Sequence, residues 1–181
     1  MKPRTIHLAA LFMVLIATPA LAQPANKRAE KEARGYLTPC HFAAAHKQVM
    51  CLQNQANFVE TYVYAKAGDV SSMSSTAASF SPPSPREEPD FSLGLPVDQV
   101  QACAWRIVTA DASRATPNAS LTQDMVRYAC QALSGRRQDA AAARADHLEQ
   151  ELRTSPASLP PPPTAEELKG LDSTVHPLVA N

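Results

Sequence analysis

The sequence predicts an all-α chain of short helical hairpins followed by a disordered, proline-rich C-terminal tail. Three observations carry this reading. Apolar residues recur at the three- and four-residue spacing of a helix face in successive segments between Pro39 and Leu152. Several of these segments open on an aspartate or serine and close near a glycine, as helices do. The sixteen prolines are mostly grouped, within residues 81–90 and beyond residue 155, where the helical spacing stops.

The chain opens with Met1, Lys2, Pro3 and Arg4, then a mostly apolar run from Ile6 to Ala17, then Ala20, Leu21 and Ala22. A basic start, a short apolar stretch and a small-x-small site are the marks of a secretory signal peptide over residues 1–22, cleaved after Ala22. As a helix the apolar run would span only ~18 Å, against the ~30 Å that a membrane span must cross. No membrane span is expected once the signal is cleaved, and the site of action is periplasmic or secreted. Loss of Lys2 and Arg4 takes the balance from seventeen basic and seventeen acidic side chains to fifteen and seventeen, a net charge of −2 with histidines neutral. Only Arg136, Arg137 and Arg144 cluster, so no basic stripe exists for phosphates and nucleic acid is not an expected partner.

Residues 23–36 are charged and alanine-rich with little apolar periodicity, which reads as a frayed helix or a charged N-terminal arm with no visible anchor. The helical-repeat-like domain is expected over residues 37–154. From Pro39 the pattern is helical, and Phe58, Tyr62 and Ala65 form a stripe flanked by Val59, Val63 and Lys66. Gly68 supplies the left-handed stop, and Asp69 caps a helix that aligns Val70, Met73, Ala77 and Phe80. That helix is serine-rich and weak by propensity, so it needs tertiary support.

Residues 81–93 form a proline-rich loop. Asp98 and Gln101 then make a D-x-x-Q helix start, followed by Val100, Cys103, Ala104, Ile107 and Val108 at helical spacing. Ser120 and Gln123 repeat that start, and Leu121, Met125, Val126, Ala129, Cys130 and Leu133 make the next apolar stripe, stopped near Gly135. Residues 137–153 carry a thin seam of Ala141, Ala145, Leu148 and Leu152, the pattern of a last, largely exposed helix. Residues 155–181 contain a four-proline run and no core-sized apolar pattern, and read as a disordered, polyproline-like tail.

All four cysteines, Cys40, Cys51, Cys103 and Cys130, follow the signal, and an even count in an oxidising compartment favours two disulfides. A metal site is the competing reading, but no C-x-x-C pair occurs, and His41 and His46 stand on different sides of a helix. Antiparallel packing of the helices over 98–112 and 121–133 would bring Cys103 level with Cys130 on facing stripes. Cys40 and Cys51 are expected to pair with each other, and their bridge demands a turn inside "CHFAAAHKQVMC", because one continuous helix would hold the two ~16 Å apart, beyond the ~7 Å limit for bridged Cα atoms. The alanines there argue against such a turn.

A helix end carrying Tyr64, Lys66, Ala67, Gly68 and Asp69, then a helix, then Gly94, Val97 and Asp98 with Ala102 and Trp105 four and seven residues on, resembles the Sel-one-like repeat of the tetratricopeptide-like helical solenoids. The matching positions are Gly68, Asp69, Ala77, Gly94, Val97, Asp98, Ala102, Trp105 and Ala110, and the likeness covers residues 57–112. It implies that the small residues let helices approach, that the glycines end helices, and that Trp105 fills the groove between neighbours. Trp105 is thus expected to be a packing residue and not an exposed hot spot. The segment between Phe80 and Gly94 is longer than the family pattern, and "ADASRATPNAS" replaces the next glycine turn, so one recognisable unit with degenerate flanks is implied.

No H-E-x-x-H, G-x-S-x-G or phosphate-loop pattern occurs. The acidic pairs Glu87/Glu88 and Glu166/Glu167 lie in proline-bounded or tail segments that cannot hold carboxylates in catalytic register. The expectation is a protein–protein interaction module with an envelope or secreted protein partner, without enzyme activity, cofactor, catalytic residue or metal ligand. A small secreted inhibitor, a stress-related protein and an enzyme without recognisable motif are the alternatives.

Overall fold

The structure is a computed structural model that describes residues 22–83, 93–154 and 156–157; the expected signal before Ala22, the loop at 84–92 and the tail from 158 lie outside the described residues. Among the described residues there are six helices and no strand. They are α1 (Ala22–Tyr36), α2 (Ala45–Lys66), α3 (Val70–Phe80), α4 (Gln99–Ala112), α5 (Ala119–Cys130) and α6 (Arg136–Thr154). Helices α2 to α5 each pack on the one before, as short connections favour, whereas α6 passes over α5 to pack on α4.

Residues 23–36 are not an unanchored arm. In α1, Ala29 and Ala33 are buried and Tyr36 packs on the core. Two alanines one turn apart give a flat face that lies close to α2, a stripe too small in hydrophobicity to stand out among its charged neighbours.

The helical pattern read from Pro39 begins later, at Ala45. Residues 41–44 are non-helical, with a bend at 43–44 and the Phe42 amide donating to the Gln48 side chain at 3.1 Å. That bend is the turn the Cys40–Cys51 bridge demands, and the two are bonded with Cα atoms 5.9 Å apart. Helix α2 then buries Phe58, Val59, Tyr62, Val63, Ala65 and Lys66, the stripe read from sequence together with its flank. Its end is a Schellman motif: the Asp69 amide donates to Tyr64 O at 3.1 Å and the Gly68 amide to Ala65 O at 3.0 Å, with Gly68 at φ +95°. Asp69 Oδ1 accepts from the Ser72 amide at 2.7 Å and so starts α3, which buries Met73, Thr76, Ala77 and Phe80.

Helix α4 lies at the centre, with Ala102, Cys103, Ala104 and Trp105 buried in succession because α3, α5 and α6 all pack on it. Asp98 caps it through Oδ1, accepting from the Val100 and Gln101 amides. The capping box is only half made: the Asp98 amide donates to Phe80 O, and the Gln101 side chain accepts from Arg144. Helix α5 starts at Ala119 after Asn118, without a side-chain cap, so the Ser120/Gln123 start is also not used.

The core is aromatic. Tyr62 meets Trp105 edge-on at 5.5 Å, Phe58 meets Phe80 at 5.4 Å, and Tyr36 meets Phe80 at 5.0 Å. Trp105 is fully buried, one turn from Ala102. A second cluster joins Cys103, Leu133 and Ala141, and there the Cys103–Cys130 bridge closes with Cα atoms 5.0 Å apart. The thin seam of α6 is buried at Ala141, Ala145 and Leu148, with Leu152 partly covered.

Candidate functional site

Helix α5 contradicts the burial expected of its apolar stripe. It has no buried residue at all, and Leu121, Met125 and Tyr128 are 56%, 36% and 78% exposed. The reason is topological. Helix α5 rests on α4, and the chain after Leu133 returns to α4 as α6, so among the described residues α4 is the one helix on which α5 packs extensively. Only Cys130 and Leu133, at its C-terminal end, reach the second cluster.

Between that face and the end of α3 runs a groove of about 830 Å³. It is lined by small side chains, Ala78 from α3, Ala102 from α4, Ala129 from α5 and Ala132 just after α5. Pro82 and Pro83 line it from the chain after α3, and Met125 and Tyr128 from α5. The prolines fix the backbone of the segment that carries them. Asp124 and Arg127 sit on the rim and pair with each other at 2.7 Å. On the far side of α5, Val126 and Arg127 share a shallower depression with Ile107 and Ala110.

Arg106 projects into the groove from α4 and is half-buried. Its guanidinium donates to Ser74 Oγ at 2.7 Å and to Met125 Sδ at 3.5 Å. Among the described residues it meets no carboxylate within ion-pair distance, and burial pushes its pKa below the ordinary arginine value, though the group stays charged at any physiological pH. The Cys103–Cys130 bridge holds the end of α5 beside it.

A second polar assembly joins four helices. Lys66 at the end of α2 pairs with Glu32 of α1 at 3.2 Å and with Glu151 of α6. Arg144 of α6 pairs with Glu32 at 2.5 Å and reaches the hydroxyls of Tyr36 and Tyr62, each at 3.4 Å, and Gln101 of α4 at 3.2 Å. Burial alone would raise the Glu32 pKa, but the charge of Lys66, hydrogen bonds from Tyr62 and Arg144 and the charge of Arg144 outweigh it and hold the carboxyl below its ordinary value. Burial and the nearby Glu32 carboxylate push both tyrosine hydroxyls up. The pKa values of Glu32, Tyr36 and Tyr62 thus move away from neutral pH, and the assembly ties α1, α2, α4 and α6 together. Beside it lies a cleft of about 580 Å³ lined by Arg28, Lys66, His147 and Glu151.

The residues read as repeat positions scatter among different tasks. Gly68 ends α2, Asp69 and Asp98 cap helices, and Ala77, Ala102 and Trp105 are buried in the core. Gly94 does not end a helix; it lies in the loop before α4, against the Cys40–Cys51 bridge. Val97 is 61% exposed, and Ala110 is only partly covered. Sequence reading passed over Arg106, Glu32 and Glu151 entirely and placed Lys66 only as a stripe flank and in the helix end of the repeat likeness. The available signal was a cation set in an apolar stripe, as Lys66 is beside Val59 and Val63 and Arg106 is between Trp105 and Ile107.

Among the described residues no group of three histidine, cysteine, aspartate or glutamate side chains is placed to hold a metal ion, and no helix is long and apolar enough to cross a membrane. Two disulfides are compatible with an oxidising, extracytoplasmic location. No family model, no curated protein and no solved structure matches the chain.

Proposed function

We propose that this is an exported helical protein, built around one degenerate repeat unit of the Sel-one-like type, that works as a protein–protein interaction module without enzyme activity and docks its partner in the groove beside α5. The outward face of α5 carries this reading: a whole helix with no buried residue beside a groove lined by tyrosine, methionine and arginine. Those residue types are enriched in the cores of protein interfaces and among their energetic hot spots. The two disulfides support export, since such bridges persist in oxidising compartments.

Site-specific crosslinking in intact cells tests it. A photoreactive side chain at position 128 should give a discrete protein adduct that Met125→Asp abolishes, while the same group at Arg153 on α6 should not. Equal adducts from both positions, or none from position 128, would remove the groove from the function.

A further inference from the structure

The groove has a charge that no carboxylate among the described residues answers. Nine arginines lie among the described residues, and two are half-buried, Arg106 and Arg144. Arg144 is matched by Glu32 at 2.5 Å. Arg28, Arg34, Arg114, Arg127 and Arg153 pair with carboxylates, and Arg136 and Arg137 stand in solvent, which answers their charge. Among the described residues Arg106 has only the neutral oxygen of Ser74 and the sulfur of Met125. A guanidinium offers five N–H donors in a planar fork that fits a carboxylate on two of them, and a partly desolvated cation without a counter-charge is unfavourable until one arrives.

Building on the interaction reading above, we infer that the groove takes a peptide segment of a partner protein in which a glutamate or aspartate stands next to apolar side chains, the carboxylate closing on Arg106 while the apolar side chains seat against Tyr128, Met125 and Pro82. Arg106 selects the carboxylate. The walls select the rest, because a free anion would leave them wet and would find only one cation. A nucleic acid needs a series of cations, and the rim offers Arg127 already paired with Asp124. The occupant is placed in a partner and not in the chain's own tail, whose Glu166, Glu167 and Leu168 have similar chemistry. A tail held there at the high effective concentration of a tether would close the surface that the interaction reading requires.

The test is selection of a random twelve-residue peptide library against the mature, oxidised full chain, followed by fluorescence titration of the enriched peptides. The expected result is an enriched acidic residue flanked by apolar ones, with affinity falling ~30-fold or more in Arg106→Glu, as for other broken, partly desolvated charge pairs. A peptide carrying lysine in place of its acid should recover part of that loss against Arg106→Glu. Arg106→Gln keeps a neutral donor for Ser74, and it should show the loss too if Arg106→Glu does not fold. Enriched peptides that lack an acid, or that bind both arginine variants as well as the parent, overturn the inference but leave the interaction reading standing. Failure to enrich any peptide sensitive to Tyr128→Ala overturns both. Enrichment only against a chain ending at Ala157 would assign the groove to the tail, and a dimer abolished by Tyr128→Ala would assign it to a second copy; either result overturns a partner as occupant.

Discussion

Gly94 shows how much one residue can be asked to do. Its φ of +75° is closed to most side chains, and a Cβ there would run into Cys51 Sγ, meet Gln55 Nε2 at 2.9 Å and approach Cys40 Sγ at 3.2 Å. The glycine therefore lets the loop before α4 lie on the Cys40–Cys51 bridge, where its carbonyl accepts from the Thr38 amide. Gly94→Ala should cost roughly 1–3 kcal/mol from backbone strain and crowding together. Chemical denaturation should show a smaller cost in the Cys40→Ala/Cys51→Ala background, where the sulfurs are gone; equal costs would mean that backbone conformation alone selects glycine. Phe80 was legible as core from its stripe and Trp105 was expected to pack from the repeat likeness, whereas Glu32 was not legible, because its partners come from two helices far from it in sequence, α2 and α6. Glu32→Gln should destabilise the protein by roughly 1–3 kcal/mol at neutral pH. The folded pKa of Glu32 is lowered, so the unfolded chain binds the proton more readily and the contribution is full above the ordinary value of 4.5. It is lost as pH falls through the folded value. Urea titrations from pH 7 to pH 3 should therefore show the wild-type advantage over Glu32→Gln shrinking at the acid end, and a constant gap would show that Glu32 acts through packing.

At the scale of elements, α5 separates what periodicity can tell from what it cannot. Leu121, Met125 and Val126 state which face of the helix is apolar, but the face finds cover only if a later element returns to it, and α6 does not. The Ala29 and Ala33 face of α1 fails in the opposite sense, since a nearly featureless helix is docked by small residues and by Glu32. The Cys103–Cys130 pairing was legible because it needs only helix rise and a short connection, both local quantities. Without buried side chains, α5 depends on that bridge to stay on α4. Cys103→Ala/Cys130→Ala should lose roughly 3–4 kcal/mol for a loop of 27 residues in the chain-entropy picture. Amide exchange distinguishes a local from a global effect. Residues 119–130 should exchange much faster in the variant while α2 and α4 keep most of their protection, and a uniform rise would show that the bridge braces the whole core.

Across the whole molecule, the five helices after residue 37, the central stripes and the Cys103–Cys130 pair follow from spacing and chemistry along the chain, while the docking of α1, the turn that closes Cys40–Cys51, the groove and the four-helix ion assembly depend on how the helices are finally arranged. The chain's exit from α6 is a further case. Composition alone makes everything after residue 154 expendable, yet Ala157 is buried and its amide donates to Lys66 O at 3.0 Å, at the carbonyl end of α2 and directly beside the Lys66–Glu151 pair. Such terminal carbonyls have no partner within their own helix, so the returning chain supplies one. A protein ending at Ala157 keeps this clasp and should melt within about 1 °C of the full chain, since residues 158–181 offer no core-sized apolar pattern. A protein ending at Thr154 loses the hydrogen bond and the cover over the ion pair, worth about 0.5–1.5 kcal/mol, and should melt roughly 2–4 °C lower. Scanning calorimetry of the two truncations decides the point. Equal melting temperatures would show that Ala157 merely rests on α2, and a large drop already at Ala157 would show that the tail beyond it is held by the fold.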